Sequence, residues 1–142
     1  MPPAVHLVAS AAEIEATLPV MRQLRPHLDG ATYVSTVQRQ MQSGYLLAAV
    51  YMGDRVEAVA GFRFGENLAW GPFVYVDDLV TSDVARSRGH GKQLLDWLKR
   101  EALARGCREL HLDSGVQRFA AHRFYLRERM DITSHHFRIA LG

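Results

Sequence analysis

A single cysteine, Cys107, is all the thiol chemistry available to this chain. No internal disulfide can form, so the reducing cytoplasm is the expected setting. Cys107 follows Gly106 and precedes an apolar stretch, the place of a buried structural thiol rather than a nucleophile. Long hydrophobic runs are missing too. Nothing approaches the ~20 residues of a membrane-spanning helix, and Met1-Pro2-Pro3-Ala4-Val5-His6 lacks the charged and apolar segments of a secretory signal. No membrane partner is expected. Charge of one sign is scarce: 17 Lys and Arg are interleaved with 15 Asp and Glu, leaving a formal net charge of +2. Without a basic block, nucleic acid is not the expected partner. There is no repeat, linker or low-complexity tract. With 48% apolar residues, a chain of 142 has material for one core, and residues 1–142 read as one domain.

Hydrophobic periodicity orders the chain. Val5 to Val8 reads as a short strand, and Ser10-Ala11-Ala12-Glu13 has capping-box spacing for a helix that follows. Ile14, Leu18 and Met21 give that helix an apolar stripe, with Pro19 set to kink or split it. Pro26 and then Asp29-Gly30 end the segment. Val34, Val37 and Met41 mark a second helix, closed by Gly44. From Tyr45 the period falls to two. Tyr45–Met52 and Val56–Phe64 form an antiparallel hairpin about Gly53-Asp54, and Gly71-Pro72 leads into a strand over Phe73–Val80. Gly89 to Arg105 is a helix with Leu95, Leu98 and Ala102 inward and Lys92, Asp96 and Lys99 outward, stopped by Gly106. A strand over Arg108–Asp113, a helix from about Gln117 to Arg129 and a last strand over His135–Leu141 complete the chain. The fold class is α/β (α+β), a mixed sheet flanked by helices.

The densest chemical signal is Arg86-Ser87-Arg88-Gly89-His90-Gly91-Lys92, between an apolar strand and the long helix. The first turn of a helix has N–H groups without intrahelical partners, and the macrodipole adds positive charge there. Gly89 and Gly91 let an anion approach the backbone, while Arg86, Arg88 and Lys92 add full charges. A diphosphate suits this turn. His90 reads as a loop residue with its ring toward solvent. The segment lacks the Gly-Lys-Ser/Thr ending of a P-loop and the further glycine of a dinucleotide fingerprint.

On Arg86-Ser87-Arg88-Gly89-His90-Gly91, with Asp77-Asp78-Leu79-Val80 before it and Gln93-Leu94-Leu95 after, the chain resembles the GNAT superfamily of N-acetyltransferases. That family's signature is Arg/Gln-x-x-Gly-x-Gly/Ala, and the resemblance runs from the helices after Ser10 through the last strand. It implies a mostly antiparallel sheet flanked by about four helices. It also implies acetyl-CoA as co-substrate and transfer to the amine of a small molecule or a protein. Backbone amides from Arg88 to Lys92 would hold the pyrophosphate, with Arg86 and Ser87 at its flank. Leu79, Val80 and Thr81 would offer backbone groups to the pantetheine arm and polarise the thioester. Tyr125 matches a tyrosine that relatives place near the sulfur, with Ala121 four residues before it. Asp77 falls where some relatives carry a catalytic carboxylate. Arg118 stands where they often have Asn, and Arg129-Met130 where they often have Gly-Phe.

The chemistry asked of these residues is modest. An alkylamine with a pKa near ~10 needs about 3 units, roughly 4 kcal/mol, to reach its nucleophilic form at neutral pH. A carboxylate can take that proton. On a regular strand Asp77 and Asp78 face opposite ways, so one of them faces the cleft, and family position favours Asp77. Tyr125 can give a proton to the leaving thiolate. Its spacing also suits a core aromatic. Arg118, His122, Tyr125 and Arg129 fall on one helical stripe, either a substrate mouth or a solvated face. Asp113, at a strand end, binds a substrate amine or caps the next helix. His135 and His136 point to opposite faces, a poor metal pair, and no metal is expected. Direct transfer without an acetyl-enzyme follows from the position of Cys107. A non-catalytic acyl-CoA-binding domain of the same fold is the alternative. The truncated sheet edge left after a single last strand implies a homodimer.

Overall fold

The computed structural model describes residues 4–85 and 88–142. Its elements run β1 (Ala4–Leu7), α1 (Ala11–Leu24), α2 (Tyr33–Met41), β2 (Leu46–Met52), β3 (Arg55–Asn67) and β4 (Gly71–Thr81). A 3-10 turn at Asp83–Ala85, α3 (His90–Ala104), β5 (Glu109–Leu112) and α4 (Phe119–Arg127) follow. The strands form one sheet in the order β1-β2-β3-β4-β5. The pairs β1–β2, β2–β3 and β3–β4 are antiparallel. Internal contacts divide the chain into two compact units, residues 1–111 and 112–142.

In the first unit the expected capping box forms. Glu13 N–H donates to Ser10 Oγ at 3.2 Å, and Ser10 N–H donates to Glu13 Oε1 at 2.9 Å. Helix α1 runs as one helix through Pro19, so the proline does not split it. Pro19 lies on the exposed face, where the carbonyl it leaves without an amide partner can be hydrated. The opposite stripe, Ile14, Leu18 and Met21, joins Val37 of α2 against Leu47 and Val59 of the sheet. Helix α3 buries Leu94, Leu95, Leu98 and Ala102.

Strand β5 begins where Arg108 N–H donates to Pro72 C=O at 2.9 Å. It has 4 residues against the 11 of β4. The far end of β4, Asp78 to Thr81, therefore extends past it, and among the described residues no strand pairs with that end on the side away from β3.

In the second unit α4 is shorter than expected. Arg118 is its N-cap rather than a member of a stripe, and Arg129 lies beyond its end with φ 68. The helix stops there because a left-handed residue cannot continue it. The strand expected over His135–Leu141 is absent: residues 130–142 carry no regular structure, and Phe137, Ile139 and Leu141 are exposed. The alternation is present in the sequence, but a strand also needs a ladder partner, and none pairs with it among the described residues.

Candidate active site

Strands β3 and β4 fall out of step once. Gly61 pairs with Asp78 and its neighbour Phe62 pairs with Val76, so Asp77 is an extra residue in β4. A bulge of this kind re-aims the side chains that follow it. The expectation that Asp77 and Asp78 face opposite ways is corrected by it. Tyr75, Asp77 and Asp78 all line one cavity of about 410 Å³, walled on the helix side by Arg25, Tyr33 and Gln40 among others.

Three arginine and tyrosine contacts fix the two carboxylates. Tyr45, just before β2, crosses β3 and donates its hydroxyl to Asp78 Oδ2 at 2.8 Å. It can cross because position 61 is glycine: a Cβ there would overlap the Tyr45 hydroxyl and lie 2.7 Å from Asp78 Oδ2. Arg25, the C-cap of α1, donates Nε to Asp78 Oδ1 at 3.0 Å and Nη2 to the Asp77 carbonyl at 2.9 Å. The backbone oxygen at the bulge thus has a charged donor. Arg63 donates Nε to Asp77 Oδ2 at 2.8 Å and reaches Gln40 Oε1 at 3.3 Å, its guanidinium 5.2 Å from the Tyr45 ring centroid. Both oxygens of Asp78 are engaged by these groups, whereas Arg63 takes only Oδ2 of Asp77.

Burial pushes the Tyr45 hydroxyl far above the usual phenol range, with the negative charge of Asp78 adding to it. Tyr45 is therefore a permanent donor to Asp78 and cannot serve as a base. Burial likewise raises Tyr33, partly offset by its bond with Thr17, whose Oγ1 lies 2.7 Å away.

Beyond the free edge at Leu79, Val80 and Thr81, the chain turns toward α3. Arg86 and Ser87 lie outside the described residues. Gly89 is the N-cap of α3 with φ 81 and makes no side-chain cap hydrogen bond. Space beside Gly89 is open. Arg88 is exposed, Gly91 is the second residue of α3, and Lys92 pairs with Asp96 at 3.3 Å. His90 departs from expectation. Its ring is buried, 2% exposed, and neither ring nitrogen has a hydrogen-bond partner among the described residues. It sits on the face of α3 that carries Leu94, so its ring turns inward.

In the second unit Tyr125 is the buried residue of α4. Burial raises its phenol pKa while the Arg118 charge and hydrogen bond pull it back, so it stays protonated at neutral pH. The His122 Nε2 lies 2.9 Å from the Gly115 carbonyl, an arrangement in which Nε2–H donates. Asp113 Oδ2 lies 3.6 Å from His136 Nδ1. Among the described residues no group of three or more His, Cys, Asp or Glu could hold a metal ion, and no helix is long and apolar enough to cross a membrane.

The sequence singled out Asp77 and the Leu79–Lys92 stretch but missed Arg25, Tyr45, Gly61 and Arg63. Gly61 carried a usable signal, because an isolated glycine inside a strand marks a bulge or a close approach. Arg25 and Arg63 carried none, since their roles depend on which way the bulge turns two neighbouring carboxylates.

A sequence model described as the acetyltransferase (GNAT) family matches residues 14–130. A protein of Bacillus subtilis (strain 168) named "Uncharacterized N-acetyltransferase YhdJ" is 35% identical over 124 residues, covering 85% of this chain and 87% of that protein. Among solved structures, AAC(6')-Iy in complex with the bisubstrate analog CoA-S-monomethyl-acetylneamine superposes with a TM-score of 0.86 at 14% identity, covering 100% of this chain and 99% of that one. A transcriptional regulator from Bacillus halodurans C-125 gives 0.85 at 20% identity, covering 99% and 100%. At those identities the two structures establish the fold. Family match and relative together go further: the chain is an N-acetyltransferase of the acetyltransferase (GNAT) family.

Proposed function

We propose that this chain transfers the acetyl group of acetyl-CoA to the primary amine of a small molecule by direct attack, as a single-domain homodimer in the cytoplasm. The observation that carries the reading is the bulge at Asp77, which turns two carboxylates into one cavity beside the free edge of β4. The start of α3 suits the cofactor's pyrophosphate: Gly89 caps it without a side chain, the space beside Gly89 is open among the described residues, and Arg88 beside it is exposed. Acetyl-CoA, when bound, supplies an activated thioester. The chain's own residues do the rest. Amides of Arg88 to Lys92 bind the diphosphate, with Arg86 and Ser87 at its flank. Backbone groups of Leu79, Val80 and Thr81 align the arm and polarise the carbonyl.

Asp77 holds the incoming ammonium and takes its proton at the oxygen that Arg63 leaves open. Asp78, saturated by Arg25 and Tyr45, sets the cavity shape. Tyr125 Oη gives a proton to the departing sulfur, and Asp113, Arg118 and His122 contribute to substrate recognition. A panel of amines, aminoglycosides included because solved neighbours carry that name, is assayed for CoA thiol release. Tyr125→Phe should retain CoA binding and lose turnover, and folded Gly89→Glu should lose CoA binding. Tight acetyl-CoA binding with no thiol release from any amine refutes the catalytic reading. Light scattering that finds a monomer at high concentration refutes the dimer.

A further inference from the structure

Two carboxylates face the cavity, and each already has an arginine. Asp78 pairs with Arg25 at 3.0 Å and Asp77 with Arg63 at 2.8 Å. These four groups sum to zero charge. Their hydrogen-bonding capacity is largely committed too. Arg25 gives Nε and Nη2 to Asp78 and the Asp77 carbonyl, and Arg63 bridges Asp77 and Gln40. The Tyr45 proton goes to Asp78. Thr17 donates to the Ile14 carbonyl at 2.6 Å, so in its 2.7 Å contact with Tyr33 the tyrosine is the donor. Among the described residues Asp77 Oδ1 is the carboxylate oxygen of the cavity left without a partner. The wall around it is mostly apolar surface: Met21, Leu28 and Val37 with the rings of Tyr33, Tyr45 and Tyr75.

We propose that the acceptor is a primary amine with one positive charge on an apolar alkyl or arylalkyl body, and that polycationic sugars are excluded. The proposal rests on the transferase reading above and narrows its acceptor. One open carboxylate oxygen suits one ammonium. A second ammonium on the same molecule would meet Arg25, Arg63 and His27 with no spare carboxylate, and like charges brought together in a partly desolvated site repel. Sugar hydroxyls fare no better. On entering they give up water for groups already bonded to one another, and an unpaired polar group is expensive. An apolar body loses nothing there. Covering a ring of phenylalanine size against the tyrosines strengthens binding roughly ten- to hundredfold. Size agrees, since about 410 Å³ lies near the bottom of the roughly 300–1,000 Å³ range of ligand pockets. In the reaction the amine nitrogen bonds to the acetyl carbon as the carbon–sulfur bond breaks, one proton passing to Asp77 and one to the departing sulfur. The amide formed is neutral, so it has no ion pair with Asp77 and leaves.

Thiol release measured for phenethylamine, hexylamine, hexamethylenediamine and sisomicin, with acetyl-CoA binding alongside, tests this. The better of the two monoamines is expected to exceed the diamine and the aminoglycoside in kcat/KM at least roughly tenfold. A diamine or sisomicin value equal to it overturns the narrowed acceptor and leaves the transferase standing. No release from any of the four overturns this inference, and silence across the wider amine panel overturns the transferase reading as well. Arg63→Gln supplies a second measurement. It frees the other Asp77 oxygen, so the ratio of the better monoamine to the diamine should fall at least roughly threefold. A ratio taken within one protein cancels any change in turnover or in the folded fraction. An unchanged ratio in folded Arg63→Gln overturns charge balance as the source of the selectivity.

Discussion

Replacing Gly61 with Ala tests the geometry of the active-site cavity most directly. The added Cβ would overlap the Tyr45 hydroxyl and stand 2.7 Å from Asp78 Oδ2, in a region where both β3 and the Tyr45 ring are buried. Neither partner can move away freely, since Tyr45 is 4% exposed and Asp78 is tied to Arg25. Overpacking of this kind costs about 1–3 kcal/mol, and a hydrogen bond to a charged group contributes about 1.5–3 kcal/mol. Because the two effects share atoms they do not add fully, and a loss of about 2–4 kcal/mol is expected. For a chain of this length that lowers Tm by roughly 7–13 °C. The kinetic effect should be larger on the acceptor KM than on CoA affinity, because the disturbed carboxylate lines the cavity proposed for the acceptor. A Tyr45→Leu background supplies the control: Gly61→Ala should cost less than about 1 kcal/mol there, since the obstructing ring is gone. Calorimetry that finds Gly61→Ala equally costly in both backgrounds would refute the crossing of Tyr45 over Gly61 as the reason for the glycine.

Arg25→Ala removes the donor to Asp78 and to the bulge carbonyl. With its side chain 43% exposed, the ion pair is screened and stability should fall by only about 1 kcal/mol, while the acceptor KM rises several-fold. Steady-state kinetics with an unchanged KM would deny Arg25 a positioning role. Ser10→Ala breaks the capping box of α1 and should cost about 1 kcal/mol, with kcat unaffected, as thermal unfolding beside a thiol-release assay would show. Asp77→Asn should lower kcat far more than it weakens CoA binding. Equal turnover in that variant would move the base elsewhere.

Much of this architecture was legible in the residues, and the reasons are local. Ser10 and Glu13 announced α1, Gly53-Asp54 the hairpin, and the stripe of Leu95, Leu98 and Ala102 the inward face of α3, because capping, turn chemistry and helical period act over a few residues. The glycine that opens α3 was legible for the same reason. What escaped the sequence depends on distant partners. Whether His135–Leu141 forms a strand is decided by what lies beside it, not by its alternation. His90 looked like a loop residue and is a core residue, because one step into the helix rotated its ring inward. Asp77 and Asp78 were read with the regular period of two, and the bulge that unites them leaves no trace in either residue's identity.

That extra residue has an evolutionary corollary. It makes β4 a strand with two phases: Phe73 to Asp77 keep one rhythm and Asp78 to Thr81 another. Exchanging one side chain for another leaves the rhythm intact, whereas deleting residue 77 would close the bulge into a regular ladder, with Asp78 still opposite Gly61 and Val76 opposite Phe62, and remove one carboxylate from the cavity. Drift in composition is tolerable in this stretch. Drift in length is not.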